Sequence, residues 1–156
     1  EAAERAWEGM ERAGRRGELD GTPAPSKLFV SLAAAHEGAA EVQQGEEKGE
    51  ERARHFRRIV DMYVEAKEAQ ESGEGGGVSP VDLADIQRDY RAVSLVLRAA
   101  ARLEMRRYED DGRNRAVAKE LSQLECISNG PLDDRTKNAL ILANRWTKED
   151  NDKTVS

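Results

Sequence analysis

The sequence predicts an all-α fold, either an irregular antiparallel bundle or a short α-solenoid of five to six helices around a long central helix. Three observations carry this. Apolar residues recur at intervals of three and four along several stretches, the spacing of one helix face. No stretch sustains the apolar–polar alternation of a half-buried strand. Glycine, proline and short acidic runs stand between the periodic stretches, where helices need starts and stops.

The central helix is expected over residues 79–108. Ser79 suits an N-cap because its hydroxyl can accept from a free N–H of the first turn. Pro80 fits the first helical position, where its missing N–H costs nothing. Asp82 places a carboxylate near the positive end of the helix dipole. Leu83, Ile86, Tyr90, Val93, Leu97 and Ala100 form one face, and Ala92, Val96, Ala99 and Leu103 widen it. An arc this wide serves more than one neighbour. At about 1.5 Å per residue the helix would reach roughly 45 Å. Leu97 is read as inward and Arg98, one step round, as outward. Gly112 is the expected stop.

Ahead of it, a helix over 2–15 carries Ala3, Ala6, Trp7, Met10 and Ala13. A loop with Gly14, Gly17, Gly21, Pro23 and Pro25 follows. The next helix starts near Ser26, with Leu28, Leu32, Ala35, Ala39 and Val42 on one face and Phe29, Ala33 and His36 beside it. A polar turn over 43–50 leads to a helix over 51–70, lined by Ala53, Phe56, Val60 and Tyr63 and widened by Ile59 and Ala66. The segment 71–78, ESGEGGGV, is expected to be a flexible linker. Beyond the central stretch, Val117, Leu121 and Leu124 face inward from a helix over 113–127. Asn129-Gly130-Pro131 stops it. Asp133 and Asp134 then open a last helix lined by Ala139, Leu140, Ala143 and Trp146. Residues 1–147 thus read as one domain and 148–156 as a disordered polar tail.

Composition narrows the function. The chain has 156 residues, enough for one domain that buries about two-thirds of its unfolded surface. Charged residues are 36% and aromatics 4%, so the core must come mainly from Ala, Leu, Val and Ile. The net charge of −6 disfavours a generic nucleic-acid or anionic-membrane binder. The single Cys126 excludes an intrachain disulfide and a multi-cysteine zinc site, and reads as a small buried apolar residue. No apolar run approaches the ~18–20 residues of a membrane span, so no membrane insertion is expected. A soluble protein of a reducing compartment, cytoplasm or organelle matrix, is favoured. The start at Glu1 rather than Met reads as a processed product, an excised domain or part of a longer protein.

No catalytic, cofactor or metal signature is evident. A ferritin-like site needs Glu-x-x-His, but Ala33 and Arg52 stand three residues before His36 and His55. Glu51 and His55 are one turn apart and supply too few ligands alone; they read as a solvated pair. The glycines of 73–77 lack the Lys-Ser/Thr of a phosphate loop. A helical magnesium hydrolase would pair Glu-x-x-Glu with Glu-x-x-Asp. Glu47 and Glu50 match the first half, and Glu149 and Asp152 match the second only in the polar tail.

Two basic clusters remain. Arg52, Arg54, His55, Arg57 and Arg58 crowd one helix; Arg98, Arg102, Arg106 and Arg107, then Arg113 and Arg115, lie around the end of the central one. They read either as a solvated face paired with acidic residues or as a site for RNA phosphates or an acidic protein. Trp7 and Trp146 are the aromatic interface candidates.

Trp7-Glu8-Gly9-Met10-Glu11-Arg12-Ala13-Gly14 resembles the end of a pentatricopeptide second helix, and Gly77-Val78-Ser79-Pro80 looks like the turn into a next repeat. Residues 28–35, 90–97 and 137–143 would be first helices, although their spacing is not constant. The chain is in this respect similar to helical-hairpin repeats of the pentatricopeptide and tetratricopeptide class. The leading expectation is a non-catalytic protein–protein interaction subunit or adaptor in a larger assembly, without cofactor or metal. The alternatives are an RNA-binding helical-repeat protein of an organelle and a small all-α metal-dependent hydrolase. Candidate interaction residues are Trp7, Trp146, Arg54, Arg57, Arg58, Arg98, Arg102 and Arg106.

Limited proteolysis is expected to cut within 71–78 before either flanking helix, read by mass spectrometry of early fragments. First cleavage inside 83–103 would contradict the placing of the core.

Overall fold

Each stretch of three-and-four spacing that falls within the described residues is helical. The computed structural model describes residues 4, 5, 8, 25–42, 49–72, 82–106 and 112–155. Seven helices lie among them and no strand: α1 (Pro25–Val42), α2 (Gly49–Ser72), α3 (Leu83–Arg88), α4 (Tyr90–Arg106), α5 (Arg113–Ser122), α6 (Glu125–Asn129) and α7 (Asp134–Val155). Glu4, Arg5 and Glu8 are helical as well. The linker core 73–78, Ser79, Pro80 and Trp7 lie outside the described residues.

α4 is the axis. It packs against each of the other six helices. Ala92, Val93, Ser94, Leu95, Val96 and Leu97 are all buried, six in a row, so the helix is enclosed on every side at that level. Ala99, Ala100 and Ala101 continue the enclosure with side chains short enough for close approach of neighbours. In a repeat solenoid each hairpin touches only its neighbours. Here one helix touches each of the other six described helices, which is the bundle alternative.

The predicted continuous central helix is broken at Asp89. Its backbone is extended, with φ −96° and ψ 104°. The reason is local. The Asp89 carboxylate accepts from the Arg91 N–H at 3.0 Å, and its carbonyl accepts from Val93 at 3.0 Å. Asp89 therefore caps a new helix instead of continuing the old one, as short acidic side chains do. Asp82, expected inside the first turn, is the N-cap residue of α3. The helix expected over 113–127 is likewise split. Leu124 takes extended angles, φ −74° and ψ 140°, and starts α6.

Two glycines stand at helix ends, and Gly112, expected as the stop of the central helix, is the N-cap of α5. Gly112 has φ 74°, a left-handed conformation that a side chain would strain, and it opens α5. At Gly130 a Cβ would stand 2.6 Å from the Cys126 carbonyl oxygen, so only glycine lets α6 end there. Cys126 is half-buried, and its thiol donates to the Gln87 carbonyl at 3.1 Å, tying α6 to α3. Burial, aided by Asp89, pushes that thiol above its ordinary pKa, so it is a poor nucleophile.

On α1 the buried face is turned from the predicted one. Phe29, Leu32, Ala33 and Ala40 are buried, whereas Ala35 is exposed and Val42 is 74% exposed. Alanine along both lines made the choice of face ambiguous. α2 matches its expected stripe: Ala53, Phe56, Ile59, Val60, Tyr63 and Ala66 are all buried. The segment expected as a disordered tail from Lys148 is helical through Val155. Asp150 there pairs with Lys119 and Arg115 across to α5, and the fixed charges extend the helix.

Leu97, fully buried on α4, should be costly to truncate. Leu97→Ala is expected to lose about 2–5 kcal/mol in urea unfolding, while Ile141→Ala, on an exposed face of α7, should stay close to wild type.

Candidate functional site

Several of the arginines that looked like an outward basic face are paired with the chain's own carboxylates. Arg98 leans back between α1 and α7. Its Nε donates to Glu37 at 2.7 Å and its Nη2 to the other Glu37 oxygen at 2.9 Å. Nη1 donates to the Thr136 hydroxyl at 2.7 Å. The Arg98 side chain is 14% exposed and that of Glu37 18%, so the expectation of an outward Arg98 is corrected. A planar guanidinium fits a carboxylate with two parallel bonds, and low exposure strengthens both. Asp133 completes the node 3.7 Å away. It also caps α7 by accepting from the Thr136 N–H at 2.8 Å. The Thr136 hydroxyl and N–H hold the Asp133 carboxyl below its usual range, with help from Arg98 and Arg135.

Five further arginines are paired in the same way. Arg135 makes two 3.0 Å bonds to Glu41, one turn along α1 from Glu37. Arg58 reaches Glu4 at 3.1 Å and Glu65 at 3.5 Å. Arg57 meets Glu50 at 3.3 Å on the surface, a contact of small energetic value. Arg113 binds Asp61 at 2.6 Å. Arg115 sits over the Trp146 ring at 5.6 Å and reaches Glu149 and Asp150. Trp146 is only 8% exposed; it is a core residue capped by a guanidinium, not the open interface anchor that was expected. Arg54 is exposed. The Arg106 side chain lies outside the described residues.

Arg102 differs. It is exposed, lies over the Phe56 ring at 5.3 Å, and forms no salt bridge with a described residue. It stands at the rim of a groove with a cavity of about 180 Å³. The floor is apolar: Phe56, Ala101, Ala139 and Leu142, with Met105 at the edge, 55% exposed. Glu37, Glu41, Arg98 and Arg135 frame it as two neutralised pairs. A shallower hollow of about 310 Å³ lies across the Arg98–Glu37 pair, bounded by Val30, Tyr90, Leu95 and Pro131.

A separate polar network binds α2, α3 and α5. The Tyr63 hydroxyl donates to Glu120 at 2.8 Å and accepts from Gln87 at 3.0 Å, while Lys67 holds the second Glu120 oxygen. Burial, reinforced by Glu120, pushes the Tyr63 phenol well above its ordinary pKa. It stays neutral and structural. Among the described residues no group of three or more His, Cys, Asp or Glu side chains could hold a metal.

Sequence reasoning found the arginines and missed their partners. Arg98 and Glu37 are 61 residues apart, Arg135 and Glu41 94. No local pattern signals a pair across such distances. The one available hint was Glu37 and Glu41, one helical turn apart on an alanine-rich helix.

Arg98→Ala leaves a half-buried Glu37 without its two donors. It is expected to destabilise by about 1–3 kcal/mol in denaturant titration, whereas Arg91→Ala, on the exposed side of the same helix, should leave the transition unmoved.

No protein-family model, curated protein or solved structure matches this chain.

Proposed function

We propose that this protein is a non-catalytic interaction subunit that receives a partner protein in the groove between α1, α4 and α7. One observation carries the reading: the framing charges cancel one another, while exposed Met105 and half-buried Leu142 leave an apolar edge open above buried Phe56, Ala101 and Ala139. An exposed apolar recess bordered by polar groups is the usual form of a protein-binding patch. Arg102, with no salt bridge to a described residue, can meet a carboxylate on the partner while an apolar side chain of the partner enters over Phe56. The same pairing weakens the RNA reading. Arg57, Arg58, Arg98, Arg113 and Arg115 are each matched by a carboxylate on the chain itself, which reduces the positive charge the two clusters can offer to phosphates.

Two measurements test this. A photo-crosslinking amino acid at Met105 should give a discrete adduct with a protein from the source cell, and one at exposed Ala84 on α3 should not. Equal labelling from both sites, or none, counts against the groove. In electrophoretic shifts at physiological salt, no RNA binding is expected in the micromolar range. Binding of that strength, lost when Arg54, Arg57, Arg102 and Arg106 are replaced by Gln, would put the RNA-binding reading in its place.

A further inference from the structure

His36 on α1 and His55 on α2 meet ring to ring. Their Nδ1 atoms are 2.8 Å apart and the ring planes are inclined by 43°. Two ring nitrogens this close need one hydrogen between them, because two lone pairs or two N–H groups would repel. On the far side of His36, Nε2 stands 2.9 Å from a Glu4 carboxylate oxygen. An ionised carboxylate only accepts, so His36 Nε2 carries a hydrogen. A neutral imidazole has one, so His36 Nδ1 must be the acceptor and His55 Nδ1 the donor. In the neutral row Glu4–His36–His55, His55 is thereby held with its hydrogen on Nδ1.

Protons added to this row have different effects. One added proton leaves a hydrogen between the two Nδ1 atoms whichever ring takes the charge, because the neutral ring still offers its Nδ1 lone pair. That bond is now charge-assisted. A second proton leaves no lone pair on either Nδ1. N–H then faces N–H, two positive rings confront each other, and the bond is lost. We propose that His36 and His55 form an acid-sensitive latch between α1 and α2, closed while a single hydrogen lies between the two Nδ1 atoms and forced open when both rings are imidazolium.

The surroundings favour closure at neutral pH. Burial, the charge of His36 and the charge of Arg54 hold His55 below its ordinary value of 6.5, with Glu51 opposing. Partial burial pulls Glu4 upward, but its bonds to His36 and Arg58 outweigh this and keep it below its ordinary value of 4.5. Arg58 is shared with Glu65. α4, which packs on both helices, directs Arg98 to Glu37 and Arg102 to the Phe56 ring, and α3 leaves Asp85 and Arg88 exposed. Because the folded state resists protonation of His55, the unfolded chain binds the proton first as pH falls. Stability from this group is complete above about pH 6.5 and is lost as pH drops through the lower folded value. Glu4 acts in the same direction only below about pH 4.5, so the two windows are separate. α1 also carries Glu37 and Glu41, so opening the latch loosens one wall of the groove.

Long-range ¹H–¹⁵N correlation of the imidazoles in the intact protein at pH 7.5 should show His55 with its hydrogen on Nδ1 and His36 with its hydrogen on Nε2. Between pH 7 and 5, amide exchange in α1, corrected for intrinsic rates, should rise on the order of tenfold relative to α7. In His55→Phe, which keeps a ring and cannot titrate, that rise should vanish even if overall stability falls. A His55 hydrogen on Nε2 at neutral pH, or an acid response that survives in His55→Phe, would overturn the latch. If His55→Phe does not fold, the wild-type tautomer decides alone.

Discussion

The structure depends on enclosing α4. Between Ala92 and Leu97 the helix is buried on every side, so the charge that directly follows this stretch is matched inside the bundle, whereas Arg91 and Arg102 reach water. Arg98 is the case in point. It follows six consecutive buried residues, and its guanidinium is received by Glu37, Thr136 and Asp133 from two other helices. Close packing around Ala99, Ala100 and Ala101 brings those helices near enough to reach it. The charge node therefore follows from the packing.

This accounts for the high charge content without a binding function for each cluster. With 25 basic and 31 acidic residues, the helices join through pairs that span distant segments, among them Arg113 with Asp61 and Arg135 with Glu41. The aromatic residues are too few to act as the main anchors, and guanidinium groups cover two of them, Phe56 and Trp146. Where this matching is incomplete, at Arg102 and Met105, the apolar groove lies open. The site proposed for a partner is thus the place where the bundle's own pairing leaves off.

The breaks in the helices have a packing role. Asp89 ends short α3 and starts long α4, and Leu83 and Ile86 of α3 are buried against the neighbouring helices. Gly130 brings the end of α6 against Tyr90 at the start of α4, 3.5 Å from where a side chain would begin. The Cys126 thiol on the Gln87 carbonyl holds the same corner.

The all-α class, the burial of the α2 stripe and the inward face of α4 were legible because helical period and burial are coupled: a side chain every three or four residues must face the same neighbour. The cap at Asp89 was legible in principle, since aspartate favours that position, but the apolar spacing ran through it without interruption. The face of α1 was not legible, because alanine is tolerated on both sides of a helix. The groove, the Arg98 node and the histidine pair were decided by tertiary structure alone. Each joins side chains from helices far apart in the chain, such as His36 with His55 and Arg98 with Glu37. Local spacing states which residues share a face, whereas only the packing of one helix on another states what that face meets.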